Sequence, residues 1–147
     1  MNYWDTSCAL KLYAAEPGSA DCLRFASEVT EPLISSQILA VELAYAFLQK
    51  EIRGDLKHGG AAALCVEFEA DVAAGRWMFL PAGRDVMDRA VVLARDCFHR
   101  RPPLMLRTLD GIHLASAVVA GAHRLVSTDH RMREAAVVAG LSLWPTA

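Results

Sequence analysis

Five short apolar segments recur along this 147-residue chain, and helical patterns follow each of the first four. The predicted strands are residues 1–5, 33–35, 77–80, 124–127 and 141–144. The predicted helices are residues 6–15, 19–29, 36–53, 55–74, 84–99, 109–120 and 130–139. Strands that alternate with helices are typical of parallel sheets covered by helices on both faces. The sequence therefore predicts an α/β fold, a three-layer α/β/α sandwich around a mainly parallel central sheet.

The composition is that of one globular domain. Hydrophobic residues make up 54% of the chain and charged residues 22%, and no linker, repeat or low-complexity tract interrupts residues 1–147. No apolar run reaches the ~18–20 residues of a membrane span, and Asp5 lies where a signal peptide would be apolar. The cysteines lack zinc-ligand spacing, so we expect buried, reduced thiols and a cytoplasmic location. These cysteines are Cys8, Cys22, Cys65 and Cys97.

Charge is distributed unevenly between the two parts of the chain. Residues 1–94 contain eight basic and thirteen acidic residues, whereas residues 95–147 contain seven basic and four acidic residues. All seven of these basic residues are arginines, which bind phosphate in a bidentate manner better than lysine does. Two interpretations remain open: a solvated helix end with its loop, or a surface for a nucleic acid.

Four acidic residues lie beside or within apolar stretches, although they are far apart in sequence: Asp5, Glu42, Asp110 and Asp129. Asp5 and Asp129 lie at the carboxyl ends of predicted strands, and ligands of open α/β sheets bind beyond these ends. We therefore expect the four acids to meet at that edge. Two unit charges ~4 Å apart repel by about 4 kcal/mol at an effective dielectric of 20. The pattern thus favours a site for Mg²⁺ or Mn²⁺, which prefer carboxylate oxygens.

Each acid also has a purely structural explanation. Asp5 could cap the following helix, Asp110 and Asp129 suit first helical turns, and Glu42 could lie on a solvent-facing stripe. His113 is expected to be a helix-face histidine with its hydrogen bonds satisfied rather than a general base. Helix capping is expected of the hydroxyl residues Thr6, Ser7, Ser127 and Thr128.

Six segments together resemble a known family. The chain opens with YWDTSCALKLY at residues 3–13, followed by EPGS, and has VEL at residues 41–43. It continues with RTLDGIHLASA at 107–117, LVSTD at 125–129 and AGL at 139–141. In this order and spacing the segments resemble PIN domains, in particular the VapC-like toxins of bacterial type II toxin–antitoxin pairs.

The resemblance implies a metal-dependent endoribonuclease with a flap-endonuclease-like α/β/α sandwich. It also implies a homodimer, an RNA substrate and a cognate antitoxin that silences the enzyme. The implied catalytic metal ligands, for Mg²⁺ or Mn²⁺, are Asp5, Glu42, Asp110 and Asp129. The implied accessory hydroxyls are those of Thr6 and Thr128, and the candidate RNA contacts are Arg100, Arg101 and Arg107.

Some features depart from the family pattern or stay open. Many relatives have another acid soon after the fourth, whereas Glu134 is the nearest candidate here, so one metal ion or two remain possible. Gly111 stands where alanine is more usual, which costs helix stability. Transfer, ribosomal and messenger RNA are all compatible substrates. The alternative function is a catalytically inactive PIN-like module that binds RNA or protein.

Overall fold

The centre of the molecule is a five-stranded parallel sheet. The computed structural model describes residues 1–146, and its strands are β1 (Asn2–Trp4), β2 (Leu33–Ser36), β3 (Trp77–Leu80), β4 (Arg124–Val126) and β5 (Ser142–Trp144). Their order in the sheet is β3–β2–β1–β4–β5, and every neighbouring pair is parallel. Tyr3 of β1 pairs with Ile34 of β2 on one side and Leu125 of β4 on the other, so β1 is the central strand.

Helices cover both faces of this sheet. They are α1 (Thr6–Leu10), α2 (Ser19–Glu28), α3 (Leu39–Ile52), α4 (Gly60–Ala73), α5 (Arg84–Phe98), α6 (Thr108–Val119) and α7 (His130–Val138). Successive strand residues point to opposite faces, so Tyr3 and Leu125 pack in one core with α5, α6 and α7. Trp4 and Val126 pack in the other core with α1 to α4. The prediction of a three-layer α/β/α sandwich is confirmed.

Three helix boundaries differ from the prediction by three residues or more, each for a local reason. Helix α1 ends at Leu10 instead of residue 15, because the next N–H groups bond to carbonyls three residues back. Helix α3 begins at Leu39 instead of residue 36, because Ser36 still belongs to β2. Helix α4 begins at Gly60 instead of residue 55, because Gly59 has a φ of 82°, a left-handed conformation that glycine tolerates.

The four cysteines are free thiols. Cys8, Cys22 and Cys97 are buried as expected, whereas Cys65 of α4 is only half-buried. Within residues 1–146, none of the helices combines the length and the apolar character that crossing a bilayer requires.

Helix α3 offers a matched test of how much the helical layer contributes to stability. Leu43 is fully buried on this helix, whereas Leu48 is 54% exposed. Leu43→Ala should lower the free energy of unfolding by about 2–5 kcal/mol, because it leaves a cavity in the core. Leu48→Ala should change it by less than ~0.5 kcal/mol. Urea unfolding followed by circular dichroism measures both, and equal losses would contradict the assigned burial.

Candidate active site

Two of the acids lie at the carboxyl ends of neighbouring strands. The N–H of Asp5 donates to the carbonyl of Val126 at 3.0 Å, which continues the pairing of β1 with β4 by one residue. Asp129 directly precedes α7, shortly after β4 ends. Each of these carboxylates also caps a helix: that of Asp5 accepts from the N–H of Ser7 at 3.4 Å, and that of Asp129 from Met132 at 3.0 Å.

The expectation that hydroxyl residues cap these helices is therefore wrong, whereas the capping role considered for Asp5 is confirmed. Helices α1 and α7 are capped by Asp5 and Asp129, and not by the neighbouring hydroxyl residues Thr6, Ser7, Ser127 and Thr128. Aspartate caps a helix as well as serine does, because either side chain offers an oxygen to the free N–H groups of the first turn. Asp5 and Asp129 thus each cap a helix and also line the candidate site.

Two serine hydroxyls fix the carboxylate of Asp5, which is 5% exposed. Its Oδ2 accepts from Ser7 Oγ at 2.8 Å and from Ser127 Oγ at 2.7 Å. Thr128 is exposed, and its backbone N–H donates to Ser7 Oγ at 3.0 Å. Within residues 1–146 every hydrogen bond to the Asp5 side chain is accepted by Oδ2. Oδ1 is therefore available to a ligand.

Glu42 is held by side chains from two other helices. Its Oε2 accepts from Thr6 Oγ1 at 2.6 Å and forms a short hydrogen bond with His113 Nε2. Burial raises the pKa of Glu42, but the contact with His113, the hydroxyl of Thr6 and the charge of Arg107 outweigh burial and lower this pKa overall. Glu42 is thus favoured in its ionised form. As for Asp5, the hydrogen bonds of the Glu42 carboxylate within the described residues are all accepted by one oxygen, so the other, Oε1, is available.

Arg107 bridges the two remaining acids. It donates from Nε to Asp110 Oδ2 at 2.7 Å, and from one terminal nitrogen to Asp110 Oδ1 at 3.3 Å and to Asp129 Oδ2 at 3.0 Å. Burial, together with the negative charges of Asp5 and Asp129, raises the pKa of Asp110 by more than Arg107 lowers it, and the hydrogen bond to Asp110 raises the pKa of Arg107. Both shifts agree with a largely buried carboxyl group beside a guanidinium that is 60% exposed.

All four acids line one open cleft of about 520 Å³. Among the described residues, no three acid, histidine or cysteine side chains stand close enough to ligate one ion in their present positions. In these positions the guanidinium of Arg107 donates to three oxygens of Asp110 and Asp129. The donor set still fits a hard divalent cation, since four carboxylates offer oxygen ligands and an excess of negative charge.

The three candidate arginines do not lie together. Arg107 lines the acidic cleft, whereas Arg100 and Arg101 line a different cleft of about 410 Å³ with Glu134. Glu134 Oε1 also lies 2.8 Å from His130 Nε2 of the same helix, and both side chains are exposed. The structure therefore groups Glu134 with the arginine loop rather than with the four acids.

Several residues of the site were not predicted from the sequence as site residues. Ser7 binds Asp5 from two residues away, but Ser127 binds Asp5 across 122 residues and His113 binds Glu42 across 71 residues. Sequence spacing carries no information about such contacts. His113 is fully buried with hydrogen bonds at both ring nitrogens, in agreement with the expected satisfied histidine.

Comparison with known proteins supports the resemblance. Residues 3–138 match the family model described as PIN domain. The chain is 34% identical over 143 residues to Ribonuclease VapC46 of Mycobacterium tuberculosis (strain ATCC 25618 / H37Rv), which covers 96% of this chain and 94% of that protein.

The fold is also found among solved structures. The crystal structure of VapBC2 from Rickettsia felis bound to a DNA fragment from their promoter contains a chain that superimposes with a TM-score of 0.63. The match covers 97% of both chains at 15% sequence identity, so it concerns the fold alone. With the family model matched over most of its length, the chain belongs to the PIN domain family.

Proposed function

We propose that the protein is a metal-dependent endoribonuclease, the toxin of a toxin–antitoxin pair, which hydrolyses RNA phosphodiester bonds at the acidic cleft. The observation that carries this proposal is the arrangement of Asp5, Glu42, Asp110 and Asp129 around one cleft. The protein's own hydrogen bonds leave one oxygen of Asp5 and one of Glu42 available. A single exposed arginine holds three of the four oxygens of the other two acids. The name of the 34% identical ribonuclease adds support.

The four carboxylates would hold Mg²⁺ or Mn²⁺. When bound, such an ion supplies charge neutralisation at the phosphate and lowers the pKa of a water molecule, as hydrolysis requires. The chain's own contribution is to place the ligands. Ser7 and Ser127 hold Asp5, and Thr6 and His113 hold Glu42, so these two carboxylates are oriented before any ion arrives.

The cleft also offers groups suited to RNA. Arg107 lies at its rim, and once released from the acids its guanidinium could bind a phosphate in a bidentate manner. Tyr45 lines the same cleft and is 67% exposed, so its ring is free to stack on an unpaired base. Arg100 and Arg101 lie at a separate cleft, so the RNA phosphates that they contact would lie away from the cleavage site.

Two protein partners belong to the same proposal, a second copy of the chain and a cognate antitoxin. Helix α3 exposes four large apolar side chains at helical spacing, which favours a protein interface on this face. They are Val41, Tyr45, Leu48 and Ile52. The Rickettsia felis structure with the same fold is itself a VapBC2 assembly. The free thiols agree with the proposed cytoplasmic location.

Removing one carboxylate charge should abolish cleavage without unfolding the protein. In Asp5→Asn the amide oxygen can still accept from Ser7 and Ser127, whereas the charge toward the cleft is lost. We expect cleavage of total bacterial RNA in Mg²⁺ or Mn²⁺ to fall by about 10³-fold or more, since metal-ion catalysis supplies several kcal/mol. Asp110→Asn should behave in the same way.

Asp88→Asn is the matched control for both variants, because Asp88 is an exposed acid on α5. It should cleave at the wild-type rate, and EDTA should stop the wild-type enzyme. The fragments should carry 5′-phosphate and 3′-hydroxyl ends. Cleavage by a folded Asp5→Asn protein at the wild-type rate would contradict the proposal, and no cleavage by antitoxin-free wild type would favour the inactive binding module.

Arg107 should compete with a divalent cation for the acids. Arg107→Gln removes the bridge between Asp110 and Asp129, so Mn²⁺ should bind up to about fivefold more tightly. This value corresponds to the ~1 kcal/mol upper range of an exposed ion pair. Isothermal titration calorimetry measures the dissociation constant, and thermal unfolding in EDTA should show a lower Tm for the variant because the acids then repel without a counterion.

Arg100→Gln is the control for this titration, because Arg100 is an exposed arginine that lines the other cleft. Its Mn²⁺ affinity should equal that of the wild type. If Arg107→Gln bound Mn²⁺ no more tightly than Arg100→Gln, Arg107 would not compete for the site.

A further inference from the structure

A chain of polar groups runs through the core that lies between the sheet and α6. Tyr3 of β1 and His113 of α6 are both fully buried. The hydroxyl of Tyr3 accepts from the N–H of Ser36 at 2.9 Å and lies 2.7 Å from His113 Nδ1. The other ring nitrogen, Nε2, bonds to Glu42 Oε2. The chain therefore connects the backbone of β2 with one of the four acids.

The direction of each hydrogen bond follows from a count of protons. A backbone N–H only donates, so the oxygen of Tyr3 is the acceptor of its bond with Ser36. The hydroxyl has one proton to give, and His113 Nδ1 lies 2.7 Å away, whereas the neighbouring hydroxyls of Ser35 and Ser116 donate to the carbonyls of Trp4 and Ile112. We therefore assign this proton to the bond with His113. Nδ1 is then an acceptor, and the ring proton lies on Nε2, pointing at the carboxylate of Glu42.

This arrangement selects one tautomer of His113. The opposite tautomer would place a lone pair of Nε2 against Glu42 Oε2 and a proton against the Tyr3 hydroxyl. The ring is also fixed in place, since it packs edge-on to Tyr3 with centroids 5.8 Å apart and planes at 74°. Hydrophobic residues of similar volume could fill this space without needing partners. Stability alone does not require the polar chain.

We propose that His113, with its tautomer set by Tyr3, is a positioning residue that fixes Glu42 for a divalent cation. The Nε2 proton and the hydroxyl of Thr6 both bind Oε2, so the carboxylate cannot rotate freely and Oε1 keeps one orientation. This inference rests on the proposed metal site, and it assigns a role to two buried residues outside the four acids.

A pair of substitutions at His113 separates positioning from packing. His113→Leu keeps an apolar side chain of similar bulk but removes the donor, and we expect Mn²⁺ affinity to fall by about 10–100-fold. His113→Gln supplies an amide N–H that can reach Glu42, so it should recover most of this loss. Calorimetric titration of Mn²⁺ into the protein without RNA gives the dissociation constants.

Leu114→Ala is the control, because Leu114 is fully buried on the same helix. It should lower the urea midpoint of unfolding and leave Mn²⁺ affinity unchanged. A purely structural role of His113 predicts the reverse for His113→Leu, a loss of stability with wild-type Mn²⁺ affinity, and that result would overturn the inference.

The tautomer is tested independently by ¹⁵N NMR of the histidine side chains. The wild type should show His113 with an unprotonated Nδ1 and a protonated Nε2. Tyr3→Phe keeps the ring but removes the hydroxyl that binds Nδ1, so the imidazole should be held less firmly and Mn²⁺ binding should weaken. A protonated Nδ1 in the wild type would overturn the assignment.

Failure of the proposed function gives a different result from failure of this inference. If the wild-type protein bound no Mn²⁺, the proposed metal site itself would be refuted. A wild-type protein that binds Mn²⁺ with the same affinity as His113→Leu would leave the metal site in place and refute the positioning role alone.

Discussion

Repulsion between four carboxylates is the constraint on which the active-site end of this molecule depends. The parallel sheet brings the carboxyl ends of β1 and β4 together, and the first turns of α3 and α6 add two more acids at the same edge. Two carboxylates brought to ~4 Å, as ligation of one ion would require, repel by about 4 kcal/mol at an effective dielectric of 20, which is a large part of the stability of a typical domain. The surrounding residues therefore donate hydrogen bonds to these carboxylates.

The donors fall into two groups with different properties. Hydroxyls and His113 bind one oxygen each of Asp5 and Glu42 from buried or half-buried positions, and they have no reason to move when a cation binds. Arg107 binds Asp110 and Asp129 from an exposed position and carries a full positive charge. In our account the first group orients ligands permanently, whereas Arg107 neutralises the site and yields to a metal ion.

The sheet and the approximate positions of the four acids could be predicted, because both depend on local patterns. Short apolar runs bounded by helices define the strands, and an acid directly after such a run lies at the carboxyl edge. The hydrogen bonds around the acids could not be predicted, since Tyr3 and His113 meet across 110 residues. The start of α3 was missed because Ser36 extends β2 and gives its N–H to Tyr3, a contact made only in the folded chain.

The most direct test of the central claim is a crystal structure grown with Mn²⁺ and measured at a wavelength where manganese scatters anomalously. The account predicts an anomalous peak between the carboxylates of Asp5, Glu42, Asp110 and Asp129, with Arg107 turned away from Asp110 and Asp129. It also predicts that Glu42 Oε2 keeps its bonds to Thr6 and His113 while Oε1 faces the ion. No peak at millimolar Mn²⁺, with Arg107 still bridging the two aspartates, would contradict it.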